Sequence, residues 1–433
     1  MILKHSGRAW AEMKNGHILA GFGFGPILAG LFFKEAMQSG NFSRLIAGEI
    51  DGEIVRALRE NDGTYHLNIA AHGTVERSRI GTVEVFDLTD RGDRCEFVKG
   101  LSEATEIVTA LPSVALYEKG DPAPAEMIAE ALSVSRTEEK IIYTAENNNR
   151  AAELLEEAVF SHGKSGNIQF LNTVIGKMSR VVSEPDEIRE LGLAPVVPDF
   201  NRAFLVEEFS RILVSRTTLP GLRPGIGVFI EKEDLLPFEE AKLYGHNAIH
   251  ALLGFLGALK GCTRMAELKE DREVFSTARR AFLDESGAAL IRKYGNTGEK
   301  LFTEEGYRDY AEDLLQRITD PCLGDTVKRA CRDPIRKLGY NDRLFGTMQL
   351  ALEQGIEPEN TALGALAGVC WLACIQDSGL PDSLRVHNWQ KLSNGQIDEI
   401  LRSIWGKGEG EQADVLIRLM QKVRPRLLEI IST

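Results

Sequence analysis

The sequence predicts an α/β domain over residues 1–204 followed by a mostly α-helical domain over residues 205–433. Three observations carry that expectation. Residues 17–20 form a short apolar run that leads through a glycine-rich turn into a helical stretch, as the first strand of a parallel sheet does. Further short apolar runs follow up to about residue 204, each closed by small or polar residues. Beyond that point helical periodicity dominates, broken by Gly, Pro, Asn or Asp roughly every 12 to 25 residues. The length of 433 residues agrees, because a chain this long exceeds what one hydrophobic core usually organises, and two domains of roughly 200 residues are the simplest division.

A hydrophobic content of 43% and a charged content of 27% are those of an ordinary globular chain. The net charge of −13 and the lack of any Lys/Arg-rich run argue against a nucleic-acid surface, which needs a basic patch. A few local arginines still allow a small anionic substrate. Cys95, Cys262, Cys322, Cys331, Cys370 and Cys374 are scattered without a CxxC pair, and residues 1–8 lack an apolar export core, so a cytoplasmic protein with free thiols is expected. Cys370 and Cys374 lie one helical turn apart in the apolar, small-residue-rich stretch 361–375. They read as buried cysteines of a core helix rather than metal ligands, and the stretch is too short to cross a membrane.

Taken in order, residues 1–16 are a polar lead-in with a short helix of their own. Gly21-Phe22-Gly23-Phe24-Gly25-Pro26-Ile27-Leu28 follows the first strand, and residues 31–37 continue as a helix. Gly23 and Gly25 supply the tight turn and close backbone approach that a pyrophosphate needs at a helix N-terminus. Leu28 stands where the third glycine of the dinucleotide fingerprint falls. The next strand, residues 44–48, ends at Glu49, with Asp51 close behind. An acid there, about 24 residues past Gly25, accepts hydrogen bonds from adenosine ribose hydroxyls and repels a 2′-phosphate, so NAD rather than NADP is the expected cofactor.

Residues 65–69 and 82–86 alternate in polarity and suggest an inserted hairpin or small antiparallel piece. Residues 106–113 form a strand ending in a small-residue loop at Ser113, and residues 140–145 another, ending in Glu146-Asn147. Both are placed as later strands whose carboxyl ends face the cofactor. Pro195 and Pro198 mark a domain junction.

The most informative stretch lies in the helical half, where residues 239–250 run into the apolar residues 251–256. At about 100° per residue, with Lys242 at zero, His246 falls near about 40°, His250 near about 80° and Asn247 near about 140°. Ile249, Leu252, Phe255 and Leu256 gather on the far side. One face thus carries a lysine, an amide and two imidazoles, groups that take a proton from a hydroxyl, hold a developing oxyanion and position the base. That suggests proton transfer at an alcohol or carbonyl carbon. The alternative is a half-exposed helix whose Lys and His face water.

The spacing Lys242-x4-Asn247-x2-His250 is similar to the signature of the polyol-specific long-chain dehydrogenase/reductase family, the mannitol dehydrogenase family. Glu146-Asn147 resembles its acidic-Asn pair after a strand, and residues 170–174 resemble the segment that places an amide, here Asn172, beside the substrate. Residues 284–295 and 333–344 resemble its mannitol-1-phosphate 5-dehydrogenase branch, and together the likeness spans roughly residues 17 to 375.

The resemblance implies a Rossmann-like N-terminal domain, a helical C-terminal domain, a cleft between them, and no metal. It implies Lys242 as general base, Asn172 and Asn247 as donors to the alkoxide-like oxygen, and His250 as the residue that orients the lysine or a neighbouring hydroxyl. Gly23, Gly25, Pro26, Ile27, Glu49, Ser113 and Asn147 are the expected NAD-binding residues. A substrate phosphate needs cations, and Arg336, Lys337 and Arg343 are the candidates, with Arg292 and Lys293 further back. The pair implied is mannitol 1-phosphate and fructose 6-phosphate. A hexuronate or free-polyol substrate, or a nucleotide-binding sensor without turnover, remains open at this point, as does the oligomeric state.

Overall fold

The computed structural model describes residues 16–71, 73–135, 137–163, 166–208, 211–376, 378–406 and 410–432. The polar lead-in expected over residues 1–16 therefore lies, apart from Gly16, outside the described residues. Two compact units divide the chain, Met1–Leu235 and Leu236–Thr433.

In the first unit, short β-branched and aromatic runs build the strands β1 (His17–Phe22), β2 (Phe42–Glu49), β3 (Tyr65–Ala71), β4 (Thr74–Ile80), β5 (Glu84–Asp87) and β6 (Glu106–Thr109). They continue with β7 (Glu139–Thr144), β8 (Asn167–Val174), β9 (Ser179–Val182), β10 (Ala203–Glu207), β11 (Ile212–Ser215) and β12 (Phe229–Lys232). The main sheet runs β5-β2-β1-β6-β7-β8-β11-β12, and its first six strands are all parallel. This is the strand order 3-2-1-4-5-6 of the Rossmann fold. Because Phe22 pairs with Gly48 and Thr109, and Thr109 with Thr144, the carboxyl ends of β1, β2, β6 and β7 share one edge.

Apolar side chains fill both faces of this sheet. Phe97, Leu101, Ile128, Ala131, Leu155 and Val159, from the helices Arg91–Glu103, Pro124–Val134 and Ala151–Phe160, cover one of them. Leu28, Phe32 and Phe33 cover the other, continuous with Leu67, Phe204 and Val206 of a second sheet, ordered β4-β3-β10-β9.

Three expectations change here. The expected antiparallel hairpin is formed by β3 and β4, but the second alternating run is not part of it: residues 84–87 leave to become the parallel edge strand beside β2. Residues 195–198 are built into the first unit, where Val196 is fully buried and bonds His66 through its carbonyl at 2.7 Å. The change to purely helical structure comes after Leu235 rather than after residue 204. β11 and β12 pair with the main sheet, but four-residue strands are too short to show a period of two in sequence.

The second unit is helical, with no named strand among the described residues. At its centre Ala248–Leu259 packs on Glu359–Cys374. The small residues of the latter permit the approach: a Cβ on Gly364 would stand 2.5 Å from Leu252 Cγ, and one on Gly368 2.8 Å from Phe255 Cδ2. Cys370 is buried there, and burial pushes its thiol up to about 12, as for a core residue. The C-terminal helix Gly410–Ser432 packs against the same helix, so the tail is part of this core. Of the glycine break at 406–410, residues 407–409 lie outside the described residues. No described helix is long and apolar enough to cross a membrane.

Candidate active site

Gly23, at φ +83°, occupies the left-handed region that the tight turn after β1 requires. Gly25 has open space where a Cβ would be. The chain turns helical at Pro26, whose fixed φ and missing N–H suit a first helical position, and Leu28–Phe33 form a π-helical stretch before Lys34–Ser39. The absent third glycine has a counterpart across the contact. A Cβ on Gly21, in β1, would lie 2.4 Å from Leu28 Cδ1 and 2.8 Å from Val108 Cγ1, so the strand rather than the helix gives up its side chain. Gly21→Val is expected to lower stability by about 1–3 kcal/mol through overpacking, read as a lower midpoint in urea with an unchanged slope.

Glu49 is half-buried at the carboxyl end of β2 and accepts from Phe24 N (2.6 Å), Ile50 N (2.6 Å) and Asp51 N (3.0 Å). It thereby ties the glycine loop to the second strand. Asp51 instead pairs with Arg202 at 2.6 Å. Ser113 is exposed and caps a short turn through Ala115 N, and Asn147 is exposed just past β7. Its neighbour Glu146 is buried, accepting from Thr109, Leu111 N and Tyr117; burial pushes its carboxyl up to about 7 against those donors. Asn172 is buried in β8, where Oδ1 accepts from Ala152 N at 2.9 Å and Nδ2 donates to Glu153 at 3.0 Å. Its amide oxygen thus caps the helix Ala151–Phe160, and one of its two amide protons is committed to the Glu153 carboxylate.

In the second unit the expected continuous α-helix is interrupted. Leu236–Glu240 is α-helical, Ala241–Asn247 is π-helical, and Ala248–Leu259 is α-helical again. Side chains from neighbouring helices reach into the π turn: Thr347 Oγ1 shares its one proton between Arg343 O at 2.5 Å and Tyr244 O at 3.0 Å, and Tyr310 Oη donates to Ala241 O at 3.4 Å. Gly245 faces Phe282 and Tyr307, where a Cβ would come within 2.9 Å of each. This changes the aim of the polar residues. The i→i+5 bonding of a π turn stacks residue i+5 above residue i, so Asn247, about 140° from Lys242 on a regular α-helix, comes round to the Lys242 side.

Lys242 is half-buried, and that burial brings its ammonium down to about 8, with Arg343 adding to the depression and Glu239 opposing it. His246 is buried; burial, then its neighbours Arg317, His250, Lys242 and Arg329, hold it well below its ordinary value. Its Nδ1 has no hydrogen-bond partner among the described residues. Burial also lowers His250, whose Nε2 lies 2.8 Å from Asp325 Oδ2. Asp325 is itself buried, takes Arg329 Nη1 at 3.0 Å and Thr326 N at 2.9 Å, and is held well below the carboxylate range by His250 and Arg329 despite burial.

The three phosphate candidates part company. Arg343 is buried, bonds Asp342 at 2.7 Å, and is close enough for its charge to act on Lys242. Lys337 is also buried, but its ammonium donates to Ala330 O at 2.5 Å, and burial lowers it to about 7. Arg336 is exposed, 3.8 Å from Asp333. Of the more distant candidates, Lys293 pairs with Glu240 at 2.8 Å and Arg292 donates to the Gln354 carbonyl. Trp405 from the C-terminal region holds this loop, donating to Leu338 O at 2.8 Å and packing edge-on against Phe345 with centroids 4.7 Å apart.

The contacts of Asp325 and Arg329 with the His250 region, and of Trp405 with Leu338 O, are not legible in the sequence. Asp325 lies 75 residues from His250, with no motif around it. The buried acid Glu146 was legible as part of the Glu-Asn pair.

A family model described as the mannitol dehydrogenase C-terminal domain matches residues 234–399. The mannitol-1-phosphate 5-dehydrogenase of Shouchella clausii is 30% identical over 317 residues, 72% of this chain and 78% of that protein. That of Geobacillus stearothermophilus is 29% identical over 330 residues, 75% and 79% of the two chains. Among solved structures, Pseudomonas fluorescens mannitol 2-dehydrogenase in ternary complex with NAD and D-mannitol has a TM-score of 0.71 at 15% identity, over 98% of this chain and 95% of that one. A substrate-free D-sorbitol dehydrogenase has a TM-score of 0.72 at 15% identity, over 96% and 95%. The two structures share the fold described above, and the 30% identity over most of both chains to the Shouchella clausii protein shows the family. The chain belongs to the mannitol dehydrogenase family.

Proposed function

We propose that the protein is a cytoplasmic NAD-dependent dehydrogenase that interconverts mannitol 1-phosphate and fructose 6-phosphate, with Lys242 as the general base. The observation that carries the reading is the Lys242 ammonium, lowered to about 8 by burial on the helix that also bears Asn247 and His250. An ordinary lysine, near about 10.4, holds its proton at neutral pH, whereas one near 8 exchanges it readily. The mannitol-1-phosphate 5-dehydrogenases among the relatives support the substrate, and the mannitol 2-dehydrogenase complexed with NAD supports the cofactor.

The first unit fits that cofactor. Gly23 makes the turn, Gly25 leaves the backbone bare, and Pro26 and Ile27 open a helix whose first-turn amides lack intrahelical acceptors. Glu49 has about four lone-pair sites and gives three to backbone amides, which leaves room for a ribose hydroxyl. Ser113 and Asn147 follow strands that end at the same sheet edge. NAD, when bound there, would supply the hydride acceptor for the alcohol carbon and the hydride donor for the ketone. Lys242 takes the hydroxyl proton in one direction and gives it back in the other. Asn247 donates to the oxygen as it gains charge, and the family resemblance assigns Asn172 the same role.

Arg343 is assigned to the phosphate, with Lys337 and Arg336 behind it. The commitment of Lys337 to Ala330 O and of Arg336 to Asp333 favours a second reading, an unphosphorylated polyol or a hexuronate. The test is NADH oxidation by the purified protein with fructose 6-phosphate, fructose and the two common ketohexuronates. Preference for fructose 6-phosphate is expected. Turnover of an unphosphorylated ketose alone would select the second reading, and NADH binding without turnover of any would point to a sensor.

A further inference from the structure

His250 is held by a carboxylate that lies far off in sequence and nearly sealed from water. The Asp325 side chain is 2% exposed, and its two oxygens divide their partners: Oδ2 faces His250 Nε2 at 2.8 Å, while Oδ1 takes Arg329 Nη1 and Thr326 N. An ionised carboxylate accepts and cannot donate, so the proton shared with the imidazole sits on Nε2. A neutral imidazole carries one N–H, which leaves Nδ1 as a bare lone pair. Burial, with Arg329 and Lys337 nearby, lowers the proton affinity of the ring against the opposing hydrogen bond and charge of Asp325, which favours the neutral form.

We propose that Asp325 is a positioning residue that fixes the tautomer of His250, so that Nδ1 accepts from a substrate hydroxyl on the carbon next to the one that reacts. The choice of hydroxyl rests on the function proposed above; the choice of tautomer does not. A bare Nδ1 rewards a donor and rejects phosphate, carboxylate and carbonyl oxygens, which are acceptors. The helix would then read the polyol pattern with one residue while Lys242 and Asn247 handle the reacting oxygen.

Asn at position 325 inverts the arrangement. Thr326 N–H and Arg329 require an acceptor, so the amide oxygen stays on their side and Nδ2 turns to His250 Nε2 as a donor. The ring must then carry its proton on Nδ1.

The experiment pairs two readouts on the full-length protein. Side-chain 15N shifts of 15N-histidine-labelled enzyme, with the His250 signals assigned through His250→Gln, are expected to show a protonated Nε2 and a bare Nδ1 in the wild type, and the reverse in Asp325→Asn. Ketose reduction is measured with fructose 6-phosphate and its 1-deoxy and 3-deoxy analogues. Asp325→Asn is expected to lower kcat/KM on fructose 6-phosphate about 10- to 100-fold. One deoxy analogue is expected to cost the wild type a similar factor and the variant almost nothing more, because both changes remove one interaction. Thermal melting and NADH titration of the variant check that fold and cofactor binding persist. A wild-type ring bare at Nε2 overturns the proposal even if the variant fails to fold, and so do fully additive losses. If the wild type does not reduce fructose 6-phosphate, the proposed substrate and the hydroxyl contact both fall, while the nitrogen shifts still decide the tautomer.

Discussion

Lys242→Ala is expected to lower kcat for fructose 6-phosphate reduction by about 10²- to 10⁴-fold, the usual contribution of a general acid–base group. NADH affinity and the melting temperature serve as controls. The pH profile of the wild type gives a second, independent handle. In the oxidation direction the free amine is the working form, so kcat/KM should rise about tenfold per pH unit below 8 and level off above it, since the ammonium of the free enzyme is brought down to about 8. In the reduction direction the ammonium is the working form, and the same inflection should appear with the opposite sign. Added methylamine should restore part of the activity of Lys242→Ala. A variant that keeps most of its activity, or a wild-type profile flat between pH 6 and 9 in both directions, would remove Lys242 from the mechanism.

Arg343→Met should act mainly on discrimination. A charge-assisted hydrogen bond contributes about 1.5–3 kcal/mol, so the preference for fructose 6-phosphate over fructose should shrink by about 10- to 100-fold. The same change should move the oxidation inflection upward. Arg343 is one of the charges that lower Lys242, and without it the ammonium is easier to keep. The two effects separate the roles. Loss of discrimination without a shift in the profile would place Arg343 at the phosphate but away from the lysine, and a shift alone would place it beside the lysine with no phosphate contact. Because Arg343 is buried on Asp342, melting of the variant must be checked first.

How far the fold and site could be read in advance follows from how local each signal is. The strands that carry β1, β2, β6 and β7 announced themselves, because buried parallel strands are continuous apolar runs. The second partner of residues 65–69 did not, since pairing between β3 and β10 joins segments more than a hundred residues apart. Lys242, Asn247 and His250 were legible as a spacing, yet the wheel that placed them assumed a regular α-helix. The π turn that brings Asn247 round depends on Thr347 and Tyr310, which arrive from other helices. For the same reason Arg336, Lys337 and Arg343 looked alike in sequence, and their distinct fates rest on tertiary partners: Asp333, the Ala330 carbonyl and Asp342.

The π turn also has a consequence for what kinds of change the helix tolerates. A π turn holds one residue more than an α turn, so Ala241–Asn247 acts as an inserted count in an otherwise regular helix. Removing one residue there would restore an unbroken α-helix and leave the stretches on either side in nearly the same phase, because the wider turn had absorbed the extra residue. Ile249, Leu252 and Phe255, all fully or almost fully buried, would keep to the core, and His250 would stay beside Asp325. A deletion in the regular helix that follows has no wide turn to absorb it and would rotate everything beyond by about 100°. The π segment is therefore the place in this helix where the residue count can change without moving the core face.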